Sequence, residues 1–423
     1  MKTKLKSSHC KQSSSKGNFS KFMLLWAGEL VSAIGGGLTS FGLGVYVFRQ
    51  TGSATGMALV TLMAFLPTLI LGMPAGILAD RYDRRLLMMI GDGCSALGIL
   101  YILYCMWNGG ATLTQICIGV FVSSVFSSLL EPSYRATVTD LLTEEEYSKA
   151  SGMVSIAGSA RYLISPILAG GLLAVSDIKL LLVIDICTFL LTVLSTVVVR
   201  STITETKQLQ QESFLLSFQE GFRAIADRRG VLLLVLVSSV MTCFLGTIQI
   251  LAEPLILDFA DSVTLGIGET VCACGMLVSG LFLGVRGIQG KYVKVLSISL
   301  AVTGLGMIGF GIWENIISIC LFGFLFFACL PFANNCLDYL VRTNIPNEVQ
   351  GRVWGMIGFL SQMGYVVAYG LAGLFADGIA DTLQIGVGRG AAIVIMVAGM
   401  LQGVTGLCVS IPKSIRKLER SNV

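Results

Sequence analysis

Twelve apolar runs, each long enough to cross a bilayer as a helix, leave this chain of 423 residues few folds to choose from. A hydrocarbon core of roughly 30 Å takes about 20 helical residues to span. The runs cover 22–48, 56–79, 86–107, 112–135, 150–174 and 178–199, then 230–257, 265–285, 292–312, 315–338, 352–376 and 388–411. Hydrophobic residues make up 54% of the chain, more apolar surface than a water-soluble core of this length could hide. Barrel strands would be about ten residues long with alternating faces, so unbroken runs specify helices. The expected fold is an all-α membrane protein of twelve transmembrane helices, with the lipid bilayer as its first partner.

Basic residues give the orientation, because cytoplasmic loops retain Lys and Arg. With the N-terminus inside, 25 of the 29 Lys and Arg fall on inner segments; outer loops keep Arg49, Lys179 and Arg389, and Arg161 lies within a run. Both termini are therefore expected in the cytoplasm, in a bacterial plasma (inner) membrane. The net charge of +4 reflects this bias and gives no reason to expect nucleic-acid binding. The first run is too long for a signal-peptide core and lacks a clear small-residue cleavage site, so it is expected to stay as a span. Of the 12 cysteines all but Cys10 lie in apolar runs, and Cys272 and Cys274 point to nearly opposite helix faces, which suits packing better than metal or disulfides. The single histidine, His9, sits in the polar tail. No metal or cofactor is expected. The phosphate-binding pattern Gly-x-x-x-x-Gly-Lys-Ser/Thr is absent and no soluble domain remains outside the runs, so the chain is not expected to be an enzyme.

The longest polar interruption, Ser201 to Gly230, splits the runs into two sets of six. Expected domains are a cytoplasmic tail (1–21), a six-helix bundle (22–200), a linker (201–229), a second six-helix bundle (230–412) and a second tail (413–423). A constant offset of 203 aligns Glu145 with Glu348, Lys149 with Arg352, Gly152 with Gly355 and Met153 with Met356, and then Leu168, Ala169 and Gly170 with Leu371, Ala372 and Gly373. The halves are thus expected to be parallel repeats, with a substrate site between them near midplane, reached by rocking one half on the other. Within the linker, Phe214, Phe218, Phe222 and Ile225 recur at helical spacing and suggest an amphipathic helix on the inner membrane face; a flexible tether is the alternative.

Charged groups inside the runs cost roughly 2.5 to 3.5 kcal/mol each on insertion scales, so each needs a partner or a purpose. Glu29 and Arg161 lie deepest and are expected to pair across the first half, with Glu29 as proton carrier and Arg161 as its counter-charge; a static ion pair that fixes packing is the alternative. Asp92, Glu131, Asp185, Glu253 and Glu269 lie nearer run ends, where water could reach them, and are secondary candidates.

The loop between the second and third runs reads GILADRYDRR, Gly76 to Arg85. Gly76, Asp80, Arg81, Arg84 and Arg85 match the pattern Gly-x-x-x-Asp-Arg-x-Gly-Arg-Arg, with Asp83 in place of glycine. In this loop the chain resembles the major facilitator superfamily. It resembles the branch of macrolide-efflux proteins and the enterobactin exporter over nearly its whole length, with EGFRAIADRRGVLLL, LPFANN, IPNEVQGRVWG and GVGRGAAI as further matches. The resemblance implies two parallel six-helix repeats in the major facilitator fold and a gating role for the loop, in which Asp80 faces the start of the eleventh span, near Arg352 to Gly355, when the inner gate is closed. A carboxylate at a helix N-terminus gains about 0.3 to 1 kcal/mol, enough to tilt a two-state balance. The alternative is that the cluster only holds the loop inside. The second-half copy has Gly284 where Asp80 would fall, so the latch is expected on one side only.

In ARYLISPILAGG, Pro166, Gly170 and Gly171 resemble the antiporter pattern of the superfamily, although Ser165 stands where glycine usually precedes the proline. Proline frees a carbonyl and kinks the helix, and glycines allow close approach. Gln249, Asn334 and Asn335 are polar groups in the seventh and tenth runs, which line the central cavity in the family. The expected function is proton-coupled export of a small amphiphilic substrate, of macrolide, drug or siderophore type, by a monomer. Uptake or flipping of a lipid-like solute, or a membrane sensor or immunity protein on the same scaffold, are the alternatives.

Overall fold

A computed structural model of the chain describes residues 18–200, 223, 225–226, 228–288, 290–345 and 350–420. Twelve helices in it are long and apolar enough to cross a membrane. Spans one to six are Phe19–Thr51, Ala54–Arg81, Arg84–Trp107, Leu113–Leu141, Lys149–Val175 and Ile178–Arg200. Spans seven to twelve are Arg229–Leu257, Ser262–Arg286, Tyr292–Ile312, Ile316–Arg342, Val353–Leu383 and Val387–Val409. No strand occurs among the described residues.

Short polar residues start these helices by satisfying backbone N–H groups that have no partner in the first turn. Ser53, Asp83, Asp261 and Asn315 each accept such a bond with the side chain, and Thr112 forms a reciprocal capping box with Gln115. Two spans are interrupted. The fourth is broken at Ser128 and Leu129, and the fifth leaves the helix at Ile164, one residue before Ser165 and Pro166 restart it. Proline has no N–H to give the preceding turn, which accounts for the second break. The eleventh helix runs to Leu383, seven residues past the expected end of its apolar run. Of the amphipathic linker helix, Phe214, Phe218 and Phe222 lie outside the described residues, whereas Ile225 is fully buried.

Six spans pack on either side of the linker. Span one lies on span six, and span three on four and six; in the second half, span nine lies on ten and twelve, and seven on eleven and twelve. The halves meet chiefly where span two lies along span eleven and where the broken fifth span lies along span eight. A short helix, Lys413–Arg420, tucks under the second half: Ile415 is buried, and Asn344 donates to Leu418 O at 3.1 Å while its own carbonyl accepts from Arg228 at 2.7 Å. Twelve crossings return the chain to its starting side, so Asn18 and Arg420 lie on one face, called here the tail face; the opposite side is the far face.

Candidate transport pathway

Glycines show where the halves touch and where they part. Toward the far face, Gly170 of span five lies against the Ser262 backbone of span eight, and Gly266 of span eight against the Pro166 carbonyl. Gly373 of span eleven lies in the same way against the backbone of Ala54 and Thr55 at the start of span two. Thr270 donates to Leu163 O at 3.2 Å, beside the break in span five. Toward the tail face the same four helices carry Gly72 and Gly76, Gly152 and Gly158, Gly280 and Gly284, and Gly355 and Gly358, all of which face open space. Among the described residues, the halves touch at the far face and stand apart at the tail face.

Aromatic rings roof the space that opens to the tail face. Phe65 of span two packs against both Tyr365 and Tyr369 of span eleven, with centroids 5.6 and 5.5 Å away, the second ring edge-on, and the two tyrosine rings are 5.6 Å from each other. The Tyr369 hydroxyl donates to Gln249 Oε1 at 3.1 Å, tying span eleven to span seven. Arg161 and Tyr162 of span five are exposed, and their charge and hydroxyl lie within electrostatic reach of Tyr369. Asn334 and Asn335 are exposed on span ten. Gln249 thus joins the aromatic roof that sequence reasoning missed, because an aromatic residue in an apolar span looks the same whether it faces lipid or a partner helix.

The intramembrane charges are arranged differently from expectation. Glu29 and Arg161 form no ion pair: the Arg161 carbonyl lies beside Gly37, roughly 12 Å further along span one than Glu29. The acid within reach of Arg161 is Asp185, which accepts from Thr188 and lies against Gly35. Glu29 keeps one carboxylate oxygen sealed from solvent with no hydrogen-bond partner, and the charged groups within its reach are acids, Asp92 on span three and Glu131 on span four. The expectation that Asp92 and Asp185 are solvated is corrected, since each is only 1% exposed. Distance along a span gave the wrong answer because both side chains turn into the bundle. Glu131 is on the surface, 73% exposed and paired with Arg135 at 2.8 Å. Glu253 presses its carboxylate against Gly44 of span one, leaves Oε2 without a partner, and has Glu269 within electrostatic reach.

In the loop after span two, Asp80 is 74% exposed and its ion-pair partner is Arg84 at 3.6 Å. Arg84 also reaches Asp140 at 2.7 Å and the carbonyls of Ala79 and Ala136, which ties the loop to span four. Arg85 is buried and Arg81 exposed. Asp83 caps the third helix through Arg85 N and pairs with Arg200 at 2.7 Å at the end of span six. The departure from the glycine pattern therefore has its own contacts. In the fifth span, Pro166 and Gly170 are buried at the seam with span eight, Gly171 faces open space, and Ser165 Oγ donates to Ile34 O of span one at 3.0 Å.

Sequence reasoning also missed Asp377. One of its oxygens accepts from Ser53 Oγ at 2.6 Å and Thr55 N at 2.9 Å, the other from Ala54 N at 3.0 Å, so a side chain of the second half caps a helix of the first. It lies one residue beyond the apolar run expected to end at 376, and so reads as loop.

Two six-helix halves, closed over an aromatic roof at one face and separated at the other, define a membrane transport protein. The sequence profile of the Major Facilitator Superfamily matches residues 25–369, and the chain belongs to that superfamily. Macrolide efflux protein A of Streptococcus pyogenes is 26% identical over 370 residues, covering 85% of this chain and 90% of that one. An uncharacterized MFS-type transporter of Bacillus subtilis, YfiS, is 27% identical over 410 residues, 94% of each. Among solved structures, a bacterial homologue of the iron transporter ferroportin in an inward-facing state superposes with a TM-score of 0.72 at 14% identity, covering 93% of this chain and 99% of that one. The nucleoside transporter NupG gives 0.73 at 12% identity, covering 92% and 98%. These structures share the fold.

Proposed function

We propose that the chain exports an amphiphilic small molecule in exchange for protons, rocking between the tail-open state described above and a far-open state, with the tail face in the cytoplasm. The observation that carries this reading is the Glu29 carboxyl, sealed on one side, without a hydrogen-bond partner on that oxygen and beside acids rather than a fixed cation. A carboxyl group with no permanent counter-charge can take a proton from one side and release it to the other as the helices around it shift. Asp92 and Asp185 would receive or return that proton within the same bundle.

Export is favoured by the similarity to macrolide efflux proteins, and exchange by the broken fifth span at the seam. An aromatic roof with Gln249 and the Arg161 head group within reach suits a substrate that is apolar with a few polar groups. When the tail face closes, Asp80 would leave Arg84 and cap the start of span eleven. A single chain carries the whole pathway and would work as a monomer. Cells producing the protein should accumulate less labelled erythromycin or ethidium than control cells, and a protonophore should remove the difference. Glu29→Gln should remove it too, at unchanged abundance in the membrane; undiminished efflux by that variant would end the assignment.

A further inference from the structure

We infer that Asp377 is a positioning residue of the transport cycle: a removable cap, supplied by span eleven to the start of span two, that holds the far face shut. The bonds bridge the two halves. Asp377 accepts from the N–H groups of Ala54 and Thr55, while Ser53 both donates its hydroxyl to Asp377 and accepts from Gly56 N. The first three N–H groups of the second span are thereby satisfied, two of them by the opposite half. A carboxylate at this place also meets the positive end of the helix dipole.

Such a cap holds the far face only if the contact must break when the halves rock. The backbone geometry requires this, because Gly373, one turn before Asp377, lies against the backbone of the same two residues, Ala54 and Thr55. Separating the helices there removes all three bonds to the carboxylate at once, and the freed N–H groups and the carboxylate must then be met by water. The seal is also uneven. By the offset that aligns Gly373 with Gly170, the first-half counterpart of Asp377 is Ala174, so span five has no acid to offer span eight. Span eight instead begins on its own Asp261, which accepts from Thr264 N at 2.9 Å. The seam between spans five and eight is held by backbone packing and the neutral Thr270 bond, and that between two and eleven by packing plus a charge.

At the other end of span two, Asp80 is exposed and pairs with Arg84 of its own half. The one helix pair therefore has an acid near each end, on opposite partners, and of the two the far-face acid bonds to the partner helix. This inference rests on the proposed rocking of the halves but requires neither a particular substrate nor a proton carrier, so it can fail while the export and Glu29 assignments stand.

Hydrogen exchange read by mass spectrometry on the full chain in lipid nanodiscs tests it. Asp377→Asn should raise exchange about tenfold in residues 53–60 and 370–380, and lower it in residues 70–82 and 353–362 as the tail face closes. Asp377→Glu should restore both toward wild type. Faster exchange at the far face without slower exchange at the tail face would overturn the inference and leave Asp377 as a local cap only. Unchanged exchange at both faces would overturn it as well.

Discussion

Adding one methyl group at Gly373 should tip the protein out of the tail-open state. A Cβ there would lie 2.7 Å from Thr55 Cα and 2.8 Å from both Ala54 O and Thr55 N. Carbon atoms settle at about 3.5 to 4.0 Å, so spans two and eleven must separate locally by about 1 Å. Backbone atoms cannot swing aside as a side chain can, and overpacking of this kind costs typically 1 to 3 kcal/mol. Because the overlap exists only while the far face is shut, that cost falls on one state and shifts the balance by about 5- to 150-fold toward the other. Gly370, one turn earlier on the same helix, faces open space and supplies the control. Spin labels on cysteines introduced at Gly152 and Gly355, two tail-side positions in open space, would report the separation by double electron–electron resonance. Cys187 and Cys408, exposed among the described residues, and Cys10 of the polar tail would first be replaced by serine. Gly373→Ala should enlarge the short-distance population and Gly370→Ala should leave it as in wild type. No change with Gly373→Ala, or an equal change with both, would show that the Gly373 contact does not set the balance between the two states.

Two other perturbations follow from contacts described above. Tyr369→Phe keeps the ring against Phe65 but removes the bond to Gln249, worth about 0.5 to 1.5 kcal/mol, and should raise the half-saturating substrate concentration by roughly 2- to 10-fold with little change in maximal rate. Asp83→Gly restores the superfamily pattern but loses the bond to Arg85 N and the pair with Arg200; its melting temperature in detergent should fall, and Asp83→Asn, which keeps a capping oxygen, should lose less.

The sequence made the spans legible because apolar continuity over about 20 residues has few other solutions. The break in the fifth span was legible for an equally local reason, the proline at 166. What escaped was everything set by which helix faces meet. Depth in the sequence matches Arg161 with Glu29, whereas packing places it by Gly37 and within reach of Asp185. Asp92 and Asp185 lie toward run ends in the sequence, yet both are buried. Asp377 escaped for another reason: its helix continues through polar residues to Leu383, and hydropathy stops reading a helix where the apolar residues stop. The offset of 203 gave the most on relations between helices, since Gly170 and Gly373, matched by sequence alone, make the same backbone contact at the two seams.

In the proposed exchange the Glu29 carboxyl carries the proton that drives export. Its most direct test is proton movement in energised inverted membrane vesicles when erythromycin is added, followed with a pH-sensitive dye. Vesicles containing the wild-type protein should release protons, and vesicles containing an equal amount of Glu29→Gln should release none. Equal release from both would rule out Glu29 as the carrier.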